Sequence, residues 1–547
     1  MELPRTHHDH PADRRTAWVE TYGCQMNISD GELMQGVLLA NGYALASSPE
    51  DADVILVNTC AIREHAEQRV IGRVGELNRI KRERPDLVIG VTGCMAQRIG
   101  ETILGRASYV DLVMGPDGYR SLPSVLARLR PGLLPSPTDV VEATTGDGPG
   151  GSGQAGPAGL DGRAGATGPS GWVEATGESG AAPAAAIASV RRSLPVLGVA
   201  EAVAGGVTSG PEAPESAREG RKRERIAALG LTPDENYEGL EVRRASRVTA
   251  WVPIQRGCNY RCTYCIVPYV RGSEKNRETS RILEEVGQLA RNGITEVTLL
   301  GQTVNSWRSG DWSFARLLRA VARIDGIRRV RFTSPHPSDL TADVIEVMAT
   351  EPAVCRQLHL PVQSGHDRTL RRMLRRYTVS EYLEKVEAVR SAVAGIALST
   401  DVIVGFPGET DEEFEATLEL MREVRYDDAF LYKYSEREGT PATRLPREQF
   451  VDAAIAQARL ERLIELQRAI QASLNEREIG TEVEVLVERP ARSAGDVMGR
   501  TEQFRVVAFP GDESLIGRYV PVRLTATTGA TFRGIRLDDR GATTRVA

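Results

Sequence analysis

Short apolar segments alternate with helix-like segments in two long blocks, residues 16–130 and 245–478, and this alternation constrains the fold more than any other feature. The first block contains three predicted strands: AWVETY (17–22), DVILVN (53–58) and LVIGVT (87–92). A helix is predicted after each of the first two strands, and the first of these begins at Ser29 and ends at Ala40. Alternation of this kind favours parallel strands joined by right-handed crossovers. The sequence therefore predicts an α/β protein with an N-terminal parallel βαβ domain.

The second block repeats a strand and a helix every ~30–40 residues, a spacing typical of (β/α) barrels. Its strand-like segments are ITEVTLLGQ, RVRFTSPHP, RQLHLPVQSG, LSTDVIVGFPGET and DAFLYKYSEREGT. We predict a partial TIM-like barrel that ends in a connecting helix over 451–478. Short strands follow in residues 479–540, and they predict a small antiparallel β-barrel as a C-terminal domain.

Residues 131–244 separate the two blocks and differ from both in composition. Trp172 is the only aromatic residue between Pro131 and Pro233, and glycine recurs at every third position from Gly150 to Gly171. That period is collagen-like but short, and so few apolar side chains cannot offset the entropy of ordering. We predict a disordered linker. Its charged run REGRKRER fits either attraction to RNA or a solvated helical face.

Seven cysteines in 547 residues are too few, and odd in number, for a disulfide framework. This count and the lack of a secretory signal or a long apolar run predict a cytoplasmic protein with no membrane partner. The formal net charge is −6, so any contact with RNA has to come from local basic patches.

Three of the cysteines lie within GCNYRCTYCIVPYVRG (257–272), at Cys258, Cys262 and Cys265. A CxxxCxxC loop can hold one metal centre. Zinc usually requires four protein ligands in two pairs, and no second pair lies nearby. A 4Fe–4S cluster takes thiolates and can keep one iron without a protein ligand, so it fits this loop better than zinc. The alternative is that the three thiols are purely structural, but buried cysteines do not favour a charged loop.

A second set consists of Cys24, Cys60 and Cys94, and each of these cysteines follows one of the three predicted strands of the first block. The carboxyl ends of parallel strands meet at one edge of a sheet, where ligand sites form. We therefore predict a second three-thiol cluster site, against the alternative that each is an ordinary small core residue. Cys355 has no such context and is predicted to be a structural thiol.

The CxxxCxxC loop, with Tyr264 before its last cysteine, resembles the signature of the radical S-adenosylmethionine enzymes. The further combination of a three-cysteine N-terminal domain and a β-barrel tail resembles the methylthiotransferases of that superfamily, whose tail is the RNA-binding TRAM domain. The resemblance implies two 4Fe–4S clusters. It also implies two S-adenosylmethionine molecules per turnover: one methylates a sulfur, and the other yields a 5′-deoxyadenosyl radical that removes hydrogen from the substrate carbon.

The segments NTCAIREHA, LLGQTVNSW, LHLPVQSG and STDVIVGFPGET resemble the members that act on tRNA bearing N6-isopentenyladenosine, at C2 of the adenine. The resemblance also implies an electron donor such as flavodoxin or ferredoxin, and a monomer. Two enzymatic alternatives remain open, namely a threonylcarbamoyl adenosine in tRNA and an aspartate of a ribosomal protein. The alternative from another class is a non-catalytic iron–sulfur RNA-binding protein.

Polar residues at predicted strand ends are candidates for cofactor or substrate contact, because strand C-termini face the site in a barrel. They are Gly301, Gln302, Gln363 and Ser364, with Tyr264 near the adenine by resemblance. The glycine in this set also suits a tight turn. Thr410 and Glu413 have the spacing of a helix capping box, which is a structural role.

Five arginines recur at helical spacing and predict one basic helix face that contacts the tRNA backbone or is merely solvated: Arg368, Arg371, Arg372, Arg375 and Arg376. His336 and His359 lie near the predicted barrel site with no assigned partner. His7, His8 and His10 resemble a metal motif but fall in a tail that is predicted to be disordered.

Overall fold

The structure is a computed structural model, and it describes residues 15–61, 64–130 and 224–537. The predicted disorder of 131–223 and the histidines of the N-terminal tail lie outside these residues. None of the described helices is long and apolar enough to cross a membrane.

The N-terminal domain is built on one sheet of six parallel strands. These are β1 (Thr16–Tyr22), β2 (Ala44–Leu45), β3 (Val54–Thr59), β4 (Val88–Gly93), β5 (Leu112–Met114) and β6 (Ile226–Ala228). Their spatial order is β2-β1-β3-β4-β5-β6. Every residue of β3 and β4 is buried, as expected for central parallel strands covered on both faces. The predicted parallel βαβ domain is confirmed.

Four helices accompany this sheet: α1 (Gln25–Ala40), α2 (Glu64–Glu83), α3 (Cys94–Arg106) and α4 (Leu122–Leu129). The prediction that α1 begins at Ser29 is wrong. The helix begins at Gln25 with Cys24 as its N-cap residue, so the cysteine itself stands at the junction of strand and helix.

The predicted linker boundary at residue 244 is also wrong. Strand β6 pairs in parallel with β5, and Ile226 lies opposite Leu112, so the chain after the low-complexity stretch completes the N-terminal sheet. Arg225 anchors this return, because its guanidinium donates to the carbonyls of Leu104 (2.6 Å) and Val110 (2.7 Å).

The central domain contains two three-stranded parallel sheets and two short pairs of antiparallel strands. Its strands are β7 (Thr249–Pro253), β8 (Gln255–Arg256), β9 (Lys275–Asn276), β10 (Glu296–Leu300), β11 (Arg308–Ser309), β12 (Trp312–Ser313), β13 (Arg329–Phe332), β14 (Gln357–His359), β15 (Ala397–Val404) and β16 (Asp428–Lys433). The sheets have the orders β13-β10-β7 and β14-β15-β16. A parallel bridge between Val330 and Val354 joins them, which gives the predicted partial barrel.

Helices connect the strands of this barrel. They are α5 (Val267–Arg271), α6 (Thr279–Arg291), α7 (Phe314–Ala322), α8 (Ala342–Thr350), α9 (Asp367–Arg372), α10 (Val379–Ala392), α11 (Asp411–Val424) and the long connecting helix α12 (Ala453–Glu478). The capping box predicted at Thr410 and Glu413 is present at the start of α11. It fixes where that helix begins.

The C-terminal domain is a closed five-stranded barrel. Its strands are β17 (Glu482–Pro490), β18 (Asp496–Arg500), β19 (Val506–Pro510), β20 (Tyr519–Thr527) and β21 (Thr531–Arg536), in the order β17-β18-β19-β21-β20. Four of its strand pairs are antiparallel as predicted, and β19 pairs with β21 in parallel.

Arg331 fastens this barrel to the amino ends of the central strands. Its side chain is buried, pairs with Glu296 (3.0 Å) and donates to the carbonyls of Thr501 (2.8 Å) and Glu502 (2.7 Å). We expect Arg331→Met to lower the free energy of unfolding by about 3–5 kcal/mol, because it leaves the buried Glu296 carboxylate with only its longer contact to Arg329 (3.8 Å). Denaturation in urea, followed by circular dichroism, measures the change.

Arg328→Met is the matched control, because Arg328 lies three residues away and its ion pair with Glu484 is half exposed. Exposed pairs contribute ~1 kcal/mol or less. Equal losses from the two variants would contradict the anchoring role of Arg331.

Candidate functional site

The three N-terminal cysteines stand at the carboxyl edge of neighbouring parallel strands. Cys60 and Cys94 directly follow β3 and β4, and Cys24 lies two residues after the end of β1. The register of β1, β3 and β4 brings the ends of these strands level. The structure thus places together the three residues that the sequence predicted to meet, because the βα units are of nearly equal length.

The thiols of this set lie close enough to affect one another. A hydrogen bond with Cys60 lowers the pKa of Cys24 to about 6, against the opposing effect of burial. Burial raises the pKa of Cys94, and the Arg271 guanidinium partly offsets that effect. One member of the set therefore favours the thiolate, the form that ligates iron.

Gly23 allows this approach, because its φ of 135° and its lack of a side chain bring the β1–α1 turn against Cys60. A Cβ at Gly23 would overlap the Cβ of Cys60. We expect Gly23→Ala to separate the thiols and to remove roughly half of the iron from reconstituted protein, if each three-thiol site holds one cluster. Iron and sulfide analysis measures this loss.

Gly239→Ala is the control, because Gly239 also has a positive φ (77°) but no atom within 4 Å of an added Cβ. This variant should retain its iron. Retention of all the iron in Gly23→Ala would contradict the account of this turn.

The second cysteine set occupies the loop between β8 and α5. Gly257 precedes it with a φ of 75°, and the N–H of Cys265 donates to the carbonyl of Cys262 (3.0 Å). The Cys258 sulfur lies 3.2 Å from the Thr303 hydroxyl, just beyond β10. Burial raises the pKa of Cys265 to about 12, with a further contribution from the Cys262 thiol. The loop therefore gathers three thiols at the carboxyl ends of the barrel strands.

A buried arginine contacts this set as well. Arg375 donates through Nη1 to the Cys262 sulfur (3.5 Å) and through Nε to the Tyr377 hydroxyl (2.9 Å). Its Nη2 donates to the carbonyl of Pro361 (3.1 Å). The positive charge stabilises a neighbouring thiolate.

This position of Arg375 shows that the predicted single arginine face is wrong. Helix α9 ends at Arg372, and Leu374 then adopts a left-handed conformation (φ 54°), so the helical spacing breaks before Arg375. Arg372 donates to the Pro407 carbonyl (3.0 Å), and Arg368 pairs with Glu413 (2.6 Å). Of the five arginines, Arg371 and Arg376 have exposed side chains that make no such contact with the described residues near α9.

Two of the predicted cofactor contacts lie within or beside the second cysteine set. Tyr264 belongs to the loop itself, and Gln302 precedes Thr303, whose hydroxyl contacts Cys258. Tyr264 packs against the buried Met373 and Phe406. Gln302, next to Gly301 after β10, has a buried Oε1 with no hydrogen-bond partner among the described residues. An unpaired buried acceptor costs free energy, so it indicates a missing donor.

Gln363 and Ser364 are buried at the end of the β14 segment. Gln363 has a φ of 72°, and its backbone is held by hydrogen bonds with Asp401 (2.8 Å) and Ile403 (2.9 Å). A non-glycine residue held in this region stores strain, and such strain concentrates at ligand sites. The Ser364 hydroxyl accepts a hydrogen bond from the His366 N–H (3.3 Å), which is a local structural contact.

The sequence did not assign a partner to His336, and the structure supplies one. Its ring stacks on Tyr260 of the cysteine loop, with centroids 3.8 Å apart. The Tyr260 hydroxyl donates to Asp339 (2.9 Å). Burial lowers the pKa of His336 to about 2, so the ring is neutral and supports the loop by stacking. Tyr260, the aromatic residue between Cys258 and Cys262, was the feature of the sequence that could have indicated this contact. His359 lies 3.1 Å from the Ser399 hydroxyl and 3.5 Å from Asp401.

The two cysteine sets are neighbours. Ile266, which follows Cys265, packs with Val270 against Cys94 and Ala61 of the N-terminal domain. Helix α5, which directly follows the cysteine loop, therefore packs against the N-terminal site through Val270.

The donor chemistry of both sets suits iron–sulfur clusters. Among the described residues, no group of three or more His, Cys, Asp or Glu side chains is arranged around a point where a single metal ion would bind. A 4Fe–4S cluster accepts three cysteine ligands and tolerates one iron without a protein ligand. Three thiols with a buried arginine at each set fit such a cluster better than they fit zinc.

Comparison with known proteins agrees with this architecture. The model of the uncharacterized protein family UPF0004 matches residues 16–115, the Radical SAM superfamily matches 252–421 and the TRAM domain matches 476–535. Among solved structures, the radical S-adenosylmethionine methyltransferase TsrM from Kitasatospora setae aligns over 83% of this chain and 89% of its own, with 12% identity and a TM-score of 0.48.

Similarity to curated proteins extends over nearly the whole chain. The tRNA-2-methylthio-N(6)-dimethylallyladenosine synthase of Carboxydothermus hydrogenoformans is 37% identical over 93% of this chain and 97% of its own. The protein of the same name from Moorella thermoacetica is 37% identical over 96% of this chain and 99% of its own. The chain therefore belongs to the family of tRNA-2-methylthio-N(6)-dimethylallyladenosine synthases, with a radical S-adenosylmethionine domain at its centre.

Proposed function

We propose that this protein transfers a methylthio group to C2 of N6-isopentenyladenosine beside the anticodon of tRNA. The observation that carries the proposal is the contact of two three-cysteine sites through α5, where Ile266 and Val270 pack on Cys94. A reaction that joins sulfur delivery to hydrogen removal at one carbon needs both sites close to that carbon. The membership of the chain in the synthase family supports the same reaction.

The proposal includes two clusters, one on Cys24, Cys60 and Cys94 and the other on Cys258, Cys262 and Cys265. When bound, they supply the electron that cleaves S-adenosylmethionine and a site that holds the sulfur to be transferred. The residues of the chain hold, orient and enclose these groups.

We propose the same cofactor contacts that the sequence predicted, and three of them are supported by features of the structure. The unpaired Oε1 of Gln302 is an acceptor for an amine, and the strained backbone at Gln363 fixes the rim of the site. Tyr264 supplies an apolar face, backed by Met373 and Phe406, on which an adenine can stack. Gly301 and Ser364 shape the turns beside them.

The tRNA backbone requires cations, and the net charge of −6 means that they must be local. Arg371 and Arg376 are exposed beside the segment that holds Arg375 against the cluster loop. The C-terminal barrel adds further exposed arginines: Arg489, Arg492, Arg518 and Arg536. We assign phosphate contact to these residues and withdraw it for the buried Arg375.

A reductant such as flavodoxin or ferredoxin, a monomeric state and a cytoplasmic location complete the proposal. None of the seven cysteines, all within the described ranges, forms a disulfide, which supports a reducing compartment. The reductant follows from the electron that radical formation consumes.

The test is an anaerobic reaction of the reconstituted protein with S-adenosylmethionine, reduced flavodoxin, a sulfide source and tRNA bearing N6-isopentenyladenosine. Parallel reactions contain tRNA bearing threonylcarbamoyl adenosine, or the ribosomal protein, as the substrate. Mass spectrometry of the digested nucleosides should show 2-methylthio-N6-isopentenyladenosine, and tRNA without the isopentenyl group is the control. Product formed only on a threonylcarbamoyl adenosine or on a ribosomal-protein aspartate would overturn the proposal that N6-isopentenyladenosine is the substrate. Binding of tRNA with no cleavage of S-adenosylmethionine would favour a non-catalytic iron–sulfur RNA-binding protein.

A further inference from the structure

Arg271, at the end of α5, extends from the central domain into the N-terminal cysteine site. Its side chain is only 2% exposed. It donates through Nε to the Cys94 sulfur (3.1 Å) and through Nη2 to Asp30 (2.5 Å) and Asn27 (3.3 Å) of α1. A residue six positions after Cys265 thus contacts a thiol of the other set.

One nitrogen of this guanidinium donates no hydrogen bond to the described residues. Nη1 of Arg271 is buried and has no hydrogen-bond partner among the described residues. A buried donor without an acceptor costs about 1–3 kcal/mol, and more when the group is charged. Such a cost is expected to be met by an acceptor that belongs to the site, and an inorganic sulfide beside the Cys94 ligand is an acceptor of this kind.

We infer that Arg271 is a positioning residue of the N-terminal site, which orients Cys94 and raises the reduction potential of the cluster bound there. The inference deepens the proposed function and rests on it, since that function supplies the cluster. Hydrogen bonds to cluster sulfur, net charge and burial set the potentials of iron–sulfur centres. A buried cation with a hydrogen bond to a ligand sulfur stabilises the extra negative charge of the reduced state.

Asp30 pairs with this cation and helps to hold it beside Cys94. The carboxylate is itself 2% exposed, and it accepts a hydrogen bond from Nη2 of Arg271. Replacing Arg271 alone would leave Asp30 as an unpaired buried charge, which is strongly destabilising. The decisive variant therefore changes both residues, as Arg271→Met/Asp30→Asn.

The experiment measures the midpoint potential of the N-terminal cluster by anaerobic redox titration monitored by electron paramagnetic resonance. All proteins carry Cys258→Ala, Cys262→Ala and Cys265→Ala, so that the spectrum arises from the N-terminal site. The full chain is used, and iron and sulfide are counted in each sample. We expect a shift to more negative potential in Arg271→Met/Asp30→Asn and a smaller negative shift in Arg271→Lys, which keeps the charge.

Arg256→Met is the matched control. Arg256 is equally buried at the same domain contact and pairs with Asp117 (2.5 Å), but it donates to no cysteine among the described residues. Asp117 also pairs with Lys275 (2.7 Å), so Arg256→Met does not leave this carboxylate without a cation. Its variant should keep the parent potential. An unchanged potential in Arg271→Met/Asp30→Asn, or the same shift in Arg256→Met, would overturn the inference.

If the double variant does not fold, Arg271→Lys decides the question, and a potential and spectrum identical to the parent would overturn the inference. Failure of the proposed function looks different. A parent protein with no iron at the N-terminal site would overturn the two-cluster proposal and this inference together, whereas a loaded site with an unmoved potential would overturn only the role of Arg271.

Discussion

Replacement of Cys258, Cys262 or Cys265 by alanine is expected to abolish cleavage of S-adenosylmethionine, with 5′-deoxyadenosine below the limit of detection. The three thiols share one short loop, and the flanking contacts of Thr303 and Arg375 reach only the sulfurs of Cys258 and Cys262. No other cysteine among the described residues lies in that loop to replace a lost ligand. Chromatography of the anaerobic reaction measures the nucleoside product.

Cys355→Ala is the control for loss of a buried thiol. Cys355 is 2% exposed, and burial raises its pKa to about 12, so it is a neutral core residue. We expect this variant to cleave S-adenosylmethionine at the parent rate. Substantial 5′-deoxyadenosine from a variant of the loop would contradict the assignment of its three cysteines.

The second large effect is uncoupling of radical formation from product formation. The Cys24→Ala/Cys60→Ala/Cys94→Ala variant is expected to keep cleaving S-adenosylmethionine but to form no methylthio nucleoside. The cysteine loop to which we assign radical formation lies entirely in the central domain, whereas the N-terminal thiols are held by the carboxyl edge of a separate sheet. Simultaneous assay of 5′-deoxyadenosine and of tRNA nucleosides measures the two steps.

The Gly239→Ala variant is a suitable folded control here too, because it alters the N-terminal half of the chain without touching a cysteine. Methylthio product from the triple variant would show that the N-terminal thiols have no part in sulfur transfer. Loss of both activities, with the fold intact by circular dichroism, would mean that the two sites cannot be separated as we describe.

The sequence was sufficient for the parts of the molecule that follow from periodicity. Apolar runs such as DVILVN (53–58) predicted buried parallel strands, and the nearly equal spacing of Cys24, Cys60 and Cys94 predicted their common edge. The closed C-terminal barrel was predicted from its short strands. In each case a pattern repeated over many residues determines the structure.

Features set by one or two backbone angles or by long-range contacts were not predicted. The left-handed conformation of Leu374 ends the helical spacing and turns Arg375 inward, and nothing in the spacing of the arginines indicates this. Strand β6 has three residues after a low-complexity stretch, too few for a pattern. Arg271 was noted only as part of a loop, although an arginine that ends the otherwise apolar VPYV segment was a usable signal.

We propose that one chain holds two separate clusters at two three-cysteine sites, which contact each other where Val270 packs on Cys94. The most direct test is the iron and labile sulfide content of anaerobically reconstituted parent protein and of the Cys24→Ala/Cys60→Ala/Cys94→Ala variant. With one 4Fe–4S cluster at each three-thiolate site, we expect roughly eight irons per parent chain and roughly four in the variant. Roughly four irons in both proteins would contradict the account, because the N-terminal cysteines would then hold nothing.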